Sequence, residues 1–167
     1  MRTQNKISVI SGIVIFLLLI KKKVNAANFI IKHEGLRLNA YQDTGSVWTV
    51  GYGSTFNYAQ NRPVQRGDKI TKETAVQWLE KDTSKAQEAV KLLVKVPINR
   101  NQFIALTSLA YNIGIGAFRR SSLLKLLNAK EPKIKVADQF LRWRFDNGKE
   151  IEGLLNRRKD ERALFLS

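Results

Sequence analysis

The chain of 167 residues has no cysteine, a single histidine (His33) and three prolines. Without cysteine there is no disulfide framework and no thiolate metal site, and one imidazole cannot build a histidine-rich one. A Ser-His-Asp triad would have to use His33, and no nucleophile elbow of the form G-x-S-x-G occurs in the sequence. Serine, cysteine and zinc hydrolases of the usual kinds are thereby set aside, and no metal or cofactor is expected. Carboxylates are the best acid–base groups that remain. They are themselves scarce, because 14 Asp and Glu stand against 29 Lys and Arg, a net charge of +15. Such an excess implies a polyanionic partner, for which nucleic acid, anionic lipid and anionic cell wall all qualify.

What the chain does contain is enough to build one core. It is 44% hydrophobic and 26% charged, with 8 Phe, 4 Tyr and 3 Trp. That excludes global disorder and fits one domain with a short appendage. The appendage is N-terminal. Ile7 to Ile20 is a fourteen-residue stretch without charge, preceded by Arg2 and Lys6. Its length suits a signal-peptide core better than a full membrane span of roughly 20 residues. Val24-Asn25-Ala26 is a small-residue pattern suited to cleavage, whereas Lys21-Lys22-Lys23 opposes translocation of that flank. Residues 1–26 are therefore expected to act as an export signal or weak inner-membrane anchor, with a buried or interfacial helix as the alternative. Residues 27–167 form the expected folded domain, which keeps a charge of +10 without the five cations of the first 23 residues.

Along that domain, Asn28 to Glu34 reads as a short helix stopped by Gly35 in the left-handed C-cap position. Leu38–Gln42 and Val47–Val50 read as strands around the turn Asp43-Thr44-Gly45-Ser46. Residues 51–70, with Gly51, Gly53, Pro63 and Gly67, are expected to be loop with at most a short third strand. Thr71 is a candidate N-cap for a helix ending before Pro97, and Asn99 with Gln102 resembles a capping box for a second helix closed by Gly114 and Gly116. Shorter helices are expected at 121–128, 134–143 and 155–165. The fold class is thus α+β, a small hairpin lobe beside a larger helical lobe with a cleft between them.

The stretch from Glu34 to Gly53 carries the chemistry. It sets one carboxylate at a helix end against Ile30, Ile31 and Leu38, and a second, Asp43, at a hairpin turn nine residues later. Unequal environments of this kind suit the two roles that glycoside hydrolysis requires. The whole string E-G-L-R-L-x-A-Y-x-D-T-x-x-x-W-T-x-G-Y-G resembles the signature of the phage-type lysozymes, the endolysin muramidases of glycoside hydrolase family 24. Three further segments share the resemblance: Tyr111 to Phe118, Ser121 to Leu124, and Gly153 to Arg158. Together they span about residues 28–166.

The resemblance implies a lysozyme-like fold. It also implies cleavage of the β-1,4 link between N-acetylmuramic acid and N-acetylglucosamine in peptidoglycan, with bacterial lysis as the result. Glu34 then resembles the general acid, Asp43 the carboxylate that orients or activates water, and Thr49 the hydroxyl that helps hold that water. Arg157 resembles an arginine reaching back toward the acid, and Tyr111 and Ser121 fall where the family contacts glycan. Trp48, beside Thr49, is a candidate cleft residue, whereas Trp78 and Trp143 are expected in the core. His33 is expected to be a partly exposed bystander, since adjacent residues on a helix do not face one another. Gly51, Tyr52 and Gly53 are expected to determine backbone shape. Ser54 replaces a histidine of some relatives, so an ion pair there is not carried over.

Having both Asp43 and Thr49 favours hydrolysis with inversion over a lytic transglycosylase, which needs essentially one carboxylate. A nucleic-acid-binding module is the alternative of another class, but no helix-turn-helix, zinc finger or RNP-type motif accompanies the charge. The partners expected are therefore peptidoglycan and, through residues 7–20, the bacterial inner membrane, with no nucleic acid. The protein is expected to be a monomer at the inner membrane or in the periplasm, or alternatively held in the host cytoplasm until holin-type release.

Overall fold

A computed structural model describes residues 26–43 and 45–167. The stretch 7–20 expected to meet the membrane lies outside the described residues, as does Thr44. No helix among the described residues is long and apolar enough to cross a membrane.

Helix α1 (Ala26–Ile31) buries Ala26, Ala27 and Ile30. It ends earlier than the sequence suggested: the amides of His33 and Glu34 both reach back to the Ile30 carbonyl, and the chain then leaves the helix. Glu34 therefore sits in the exit turn, and Gly35, expected at a positive φ, is absent from the left-handed positions. Strands β1 (Arg37–Gln42) and β2 (Trp48–Gly51) form an antiparallel hairpin with Tyr41 opposite Thr49. The other edge of β1 takes backbone bonds from the segment near Asp68 and Ile70. Leu38, expected against the acid, is 38% exposed on this sheet. The stretch expected to be loop holds a second small hairpin, β3 (Phe56–Asn57) with β4 (Arg62–Pro63). Gly51 is favoured where β2 ends because its φ of 70° strains other residues, and a Cβ there would also sit tightly, 3.2 Å from Ala75 Cβ and Ile70 Cδ1.

The rest is helical. Helix α2 (Lys72–Leu93) is capped by Thr71, whose hydroxyl accepts the Thr74 amide, and α3 (Arg100–Ile113) by the reciprocal Asn99–Gln102 box. Then come α4 (Ile115–Arg120), α5 (Ser122–Asn128) and α6 (Lys133–Asp138), a 3₁₀ segment (Gln139–Trp143), the hairpin β5 (Phe145–Asp146) with β6 (Lys149–Glu150), and α7 (Glu152–Leu166). The helix expected over 134–143 is thus α-helical only in its first half.

Among the described residues, three apolar clusters hold the lobes together. The helical lobe is centred on α3, buried continuously from Ile104 to Ala110, and on Phe118, Phe140 and Phe165. The hairpin lobe has its own small core of Val50, Val64 and Trp78. Between them, Ile30, Tyr52, Ala75 and Leu79 form the joint. Helix α2 spans this division. At about 1.5 Å per residue it is roughly 33 Å long, and it gives Trp78 to one lobe and Ala86 and Val90 to the other. A cleft lies against α2 where the lobes part.

Candidate active site

The cleft has a volume of about 560 Å³, and its walls carry Glu34, Asp43, Thr49 and Tyr111. Each reaches it from a different position: the exit of α1, the β1–β2 turn, strand β2 and the end of α3. Asp43 is the keystone of its turn. Its Oδ1 accepts the amides of Gly45 and Val47, both at 2.9 Å. No protein group among the described residues bonds its Oδ2. Thr49 is buried, and its hydroxyl donates to the Val47 carbonyl at 3.1 Å. That bond fixes the hydrogen and leaves oxygen lone pairs that can accept.

Glu34 keeps 22% of its side chain exposed, enough for a ligand to reach it from the cleft. Behind it, Arg157 Nη1 donates to its Oε1 at 2.5 Å. Arg157 does not line the cleft. It is buried in α7, with Nε bonded to Glu161 Oε1 at 3.2 Å and Nη2 to Ser108 Oγ at 3.3 Å. Glu161 also accepts Ser108 Oγ at 2.6 Å and Arg158 Nη2 at 2.8 Å. Burial pushes the Glu161 carboxyl up and the Arg158 guanidinium down, the latter to about 10, each against the attraction of the other. Tyr111 donates its hydroxyl to the Tyr52 carbonyl at 3.1 Å, which ties α3 to the end of the hairpin. Burial, and then the nearby Glu34, push this phenol well above its usual value.

Two candidates lie elsewhere. Trp48 packs on the hairpin-lobe core with Val50 and Trp78 and does not line the cleft. Ser121 caps α5, accepting the Leu124 amide and donating to the Phe118 carbonyl, so both its roles are taken. It borders a separate cavity of about 470 Å³ with Arg120 and Arg142. Trp143 borders that cavity too, while also packing on the helical-lobe core. His33 is more enclosed than expected, with 11% of its side chain exposed, and it packs on Phe29. Its Nε2 lies 3.5 Å from Asp160 Oδ2, without hydrogen-bond geometry. Burial, and then Arg157, lower its pKa, so it is neutral at pH 7.

A family model described as phage lysozyme matches residues 31–161. The chain belongs to the phage lysozyme family. It is 43% identical over 136 residues to the endolysin of Salmonella phage P22, covering 81% of this chain and 91% of that one. It is 35% identical over 133 residues to a protein named SAR-endolysin from Enterobacteria phage P21, covering 80% and 77%. Among solved structures, a P22 lysozyme variant superposes with a TM-score of 0.76 at 41% identity, covering 87% of this chain and 97% of that one. The muramidase domain of SpmX from Asticaccaulis excentricus gives 0.75 at 34%, covering 85% and 95%.

Within this lysozyme two site features escaped the sequence reading. Glu161 was not among the expected site residues, although its spacing of four from Arg157 and three from Arg158 puts it beside both on a helix. Asp82, on the cleft wall, takes the Tyr58 hydroxyl at 2.5 Å, while Ser54 donates to the Phe56 carbonyl. The hairpin lobe is thus pinned to α2 through a phenol, whose pKa burial and then Asp82 raise to about 12.

Proposed function

We propose that this cleft hydrolyses the β-1,4 bond between N-acetylmuramic acid and N-acetylglucosamine by a single inverting displacement. That the chain is a peptidoglycan-cleaving glycosidase follows from its family. The finer mechanism rests on one observation: the two carboxylates on the cleft wall are held by different means. Glu34 is backed by a buried guanidinium, and Asp43 is oriented through one oxygen by its own turn. In this reading Glu34 protonates the departing glycosidic oxygen. Asp43 takes a proton from water through Oδ2, and Thr49 accepts a hydrogen bond from the same water. Tyr111 shapes the wall, and Arg157 supports the acid.

An inverting enzyme holds its carboxyls roughly 6.5–9.5 Å apart to admit the water, whereas a double displacement needs about 5–5.5 Å. The first product then carries the α-anomer at its new reducing end. Proton NMR of early products tests this: an initial β-anomer means retention, and an anhydro-muramyl end means transglycosylation. Glu34→Gln should abolish wall clearance with the fold intact, since general acid catalysis supplies on the order of 10²–10⁴-fold. Clearance above about half the parental rate would refute that role.

Residues 27–167 serve as the catalytic domain, and one copy suffices because both carboxylates come from one chain. Residues 1–26 carry the domain to the inner membrane for cleavage near Ala26 or for retention and later release. The charge-free run supports this, as does similarity to proteins named SAR-endolysin. Purely cytosolic full-length protein in fractionated cells lacking a pore-forming partner would overturn it.

A further inference from the structure

We infer that Glu161 is a positioning residue for the acid: a buried carboxylate outside the cleft that turns the Arg157 guanidinium so that a single nitrogen meets Glu34. This rests on the reading of Glu34 as the proton donor. Guanidinium is a rigid fork, and an arginine free to turn meets a carboxylate through two parallel bonds. Here the fork is already occupied. Glu161 holds Nε, Ser108 holds Nη2 through both its hydroxyl and its carbonyl, and Nη1 is left for Glu34. A doubly bonded carboxylate would be a stabilised anion, poorly suited to carrying a proton.

Charge leads to the same conclusion. Arg157 and Arg158 balance Glu161 and Glu34 while Glu34 is ionised. Apart from Glu34, the buried charges sum to +1, and without Glu161 they would sum to +2 beside the acid. Among the described residues the other titratable groups around Glu34 are Tyr111 from α3, Tyr41 and Asp43 from the hairpin, Asp82 and Lys85 from α2, and neighbouring His33. None of these replaces a buried anion beside Arg157.

The cluster is also costly for a device that only stabilises. Glu161 Oε2 and Arg158 Nε and Nη1 are buried without a hydrogen-bond partner among the described residues. Well-packed apolar side chains often stabilise as much as a buried ionic group or more. A role in the site accounts for keeping charge here.

Three variants test the inference, each checked for folding by circular dichroism and assayed on solubilised peptidoglycan fragments across pH. Glu161→Gln should lower kcat on the order of tenfold to a hundredfold, as misplacement of supporting groups does, with KM unchanged because Glu161 does not touch the cleft. Its alkaline limb, which reports loss of the acid's proton, should move down by about one pH unit. Arg158→Gln removes a cation instead and should move that limb up. Ser108→Ala keeps every charge and the backbone carbonyl that Nη2 meets at 3.5 Å but loses the hydroxyl that links Nη2 to Glu161, so kcat should fall severalfold with the limb in place.

Parental kcat and an unmoved limb in folded Glu161→Gln would overturn the inference, as would shifts of the same sign in both charge variants. Should Glu161→Gln not fold, parental kcat in Ser108→Ala with an unmoved limb in Arg158→Gln overturns it. Failure of the underlying acid reading is distinct, since it shows as activity retained by Glu34→Gln.

Discussion

Replacing Arg157 with methionine keeps much of the buried stem and removes the charge, which isolates what the guanidinium does. Arg157 is 3% exposed, and its loss leaves Glu161, fully buried, with Arg158 and Ser108 as its hydrogen-bond partners among the described residues. Breaking a buried pair in this way costs about 3–5 kcal/mol. Little more comes from Glu34, because its partial exposure lets water replace the lost partner. Set against a total stability of about 5–15 kcal/mol, the loss leaves a folded population at 25 °C over most of that range. At about 2–4 °C per kcal/mol for a domain of this size, Tm should fall by about 6–20 °C.

Arg157→Lys sharpens the case. It restores the charge, but a single ammonium cannot reach Glu34, Glu161 and Ser108 together. It should therefore recover part of the stability and little of the activity. Thermal unfolding at neutral pH measures the first, and turbidity clearance scaled to the folded fraction measures the second. A Tm within about 3 °C of the parent for Arg157→Met would refute the claimed stability contribution of about 3–5 kcal/mol. Full activity in Arg157→Lys would show that charge alone matters and that the fork does not.

Two further outcomes follow from the hairpin lobe. Asp43→Asn keeps the oxygen that caps Gly45 and Val47 and loses only the charge; it should melt like the parent yet clear walls on the order of 10²-fold more slowly, whereas Asp43→Ala should also lose about 1 kcal/mol of stability in urea titration. Asp68 is held well below the usual carboxylate range by the Arg62 guanidinium, then by the Gln65 amide and Asn57. The unfolded chain therefore takes this proton first, so the stabilisation is present above about pH 4 and is lost as pH falls below it. Asp68→Asn should accordingly flatten the fall in urea midpoint between neutral and acid pH, and an unchanged slope would sink that account.

Local chemistry explains which parts of the fold were legible. Helices α2 and α3 begin where Thr71 and Asn99 place their caps, because a cap is written within four residues and needs no partner elsewhere. Helix α4 was hidden by reading Gly114 and Gly116 as one stop; Gly114, at φ 85°, does end α3, but Gly116 lies inside the next helix. The β5–β6 hairpin had its signal in Asn147-Gly148, both at positive φ, inside a segment too short to show alternation. Trp48 was misplaced for a different reason. Side chains alternate along a strand, so it shares a face with Val50, which is fully buried in the hairpin-lobe core, and points away from the Thr49 side. Adjacency in sequence was the wrong measure.

Both carboxylates of the site were readable because they sit in one continuous string, yet the arrangement that makes Glu34 useful was not. The Glu34–Arg157 bond joins residues 123 positions apart. Whether a run of charges on α7 faces water or the core depends on how α7 docks on α3, which no local pattern records. Ser108 shows this most plainly. Within α3 it is one small polar residue among apolar ones, but after docking it is the peg for both Glu161 and Arg157. The acid and its support thus come from opposite ends of the domain, and the cleft is complete only when the last helix has closed against the third.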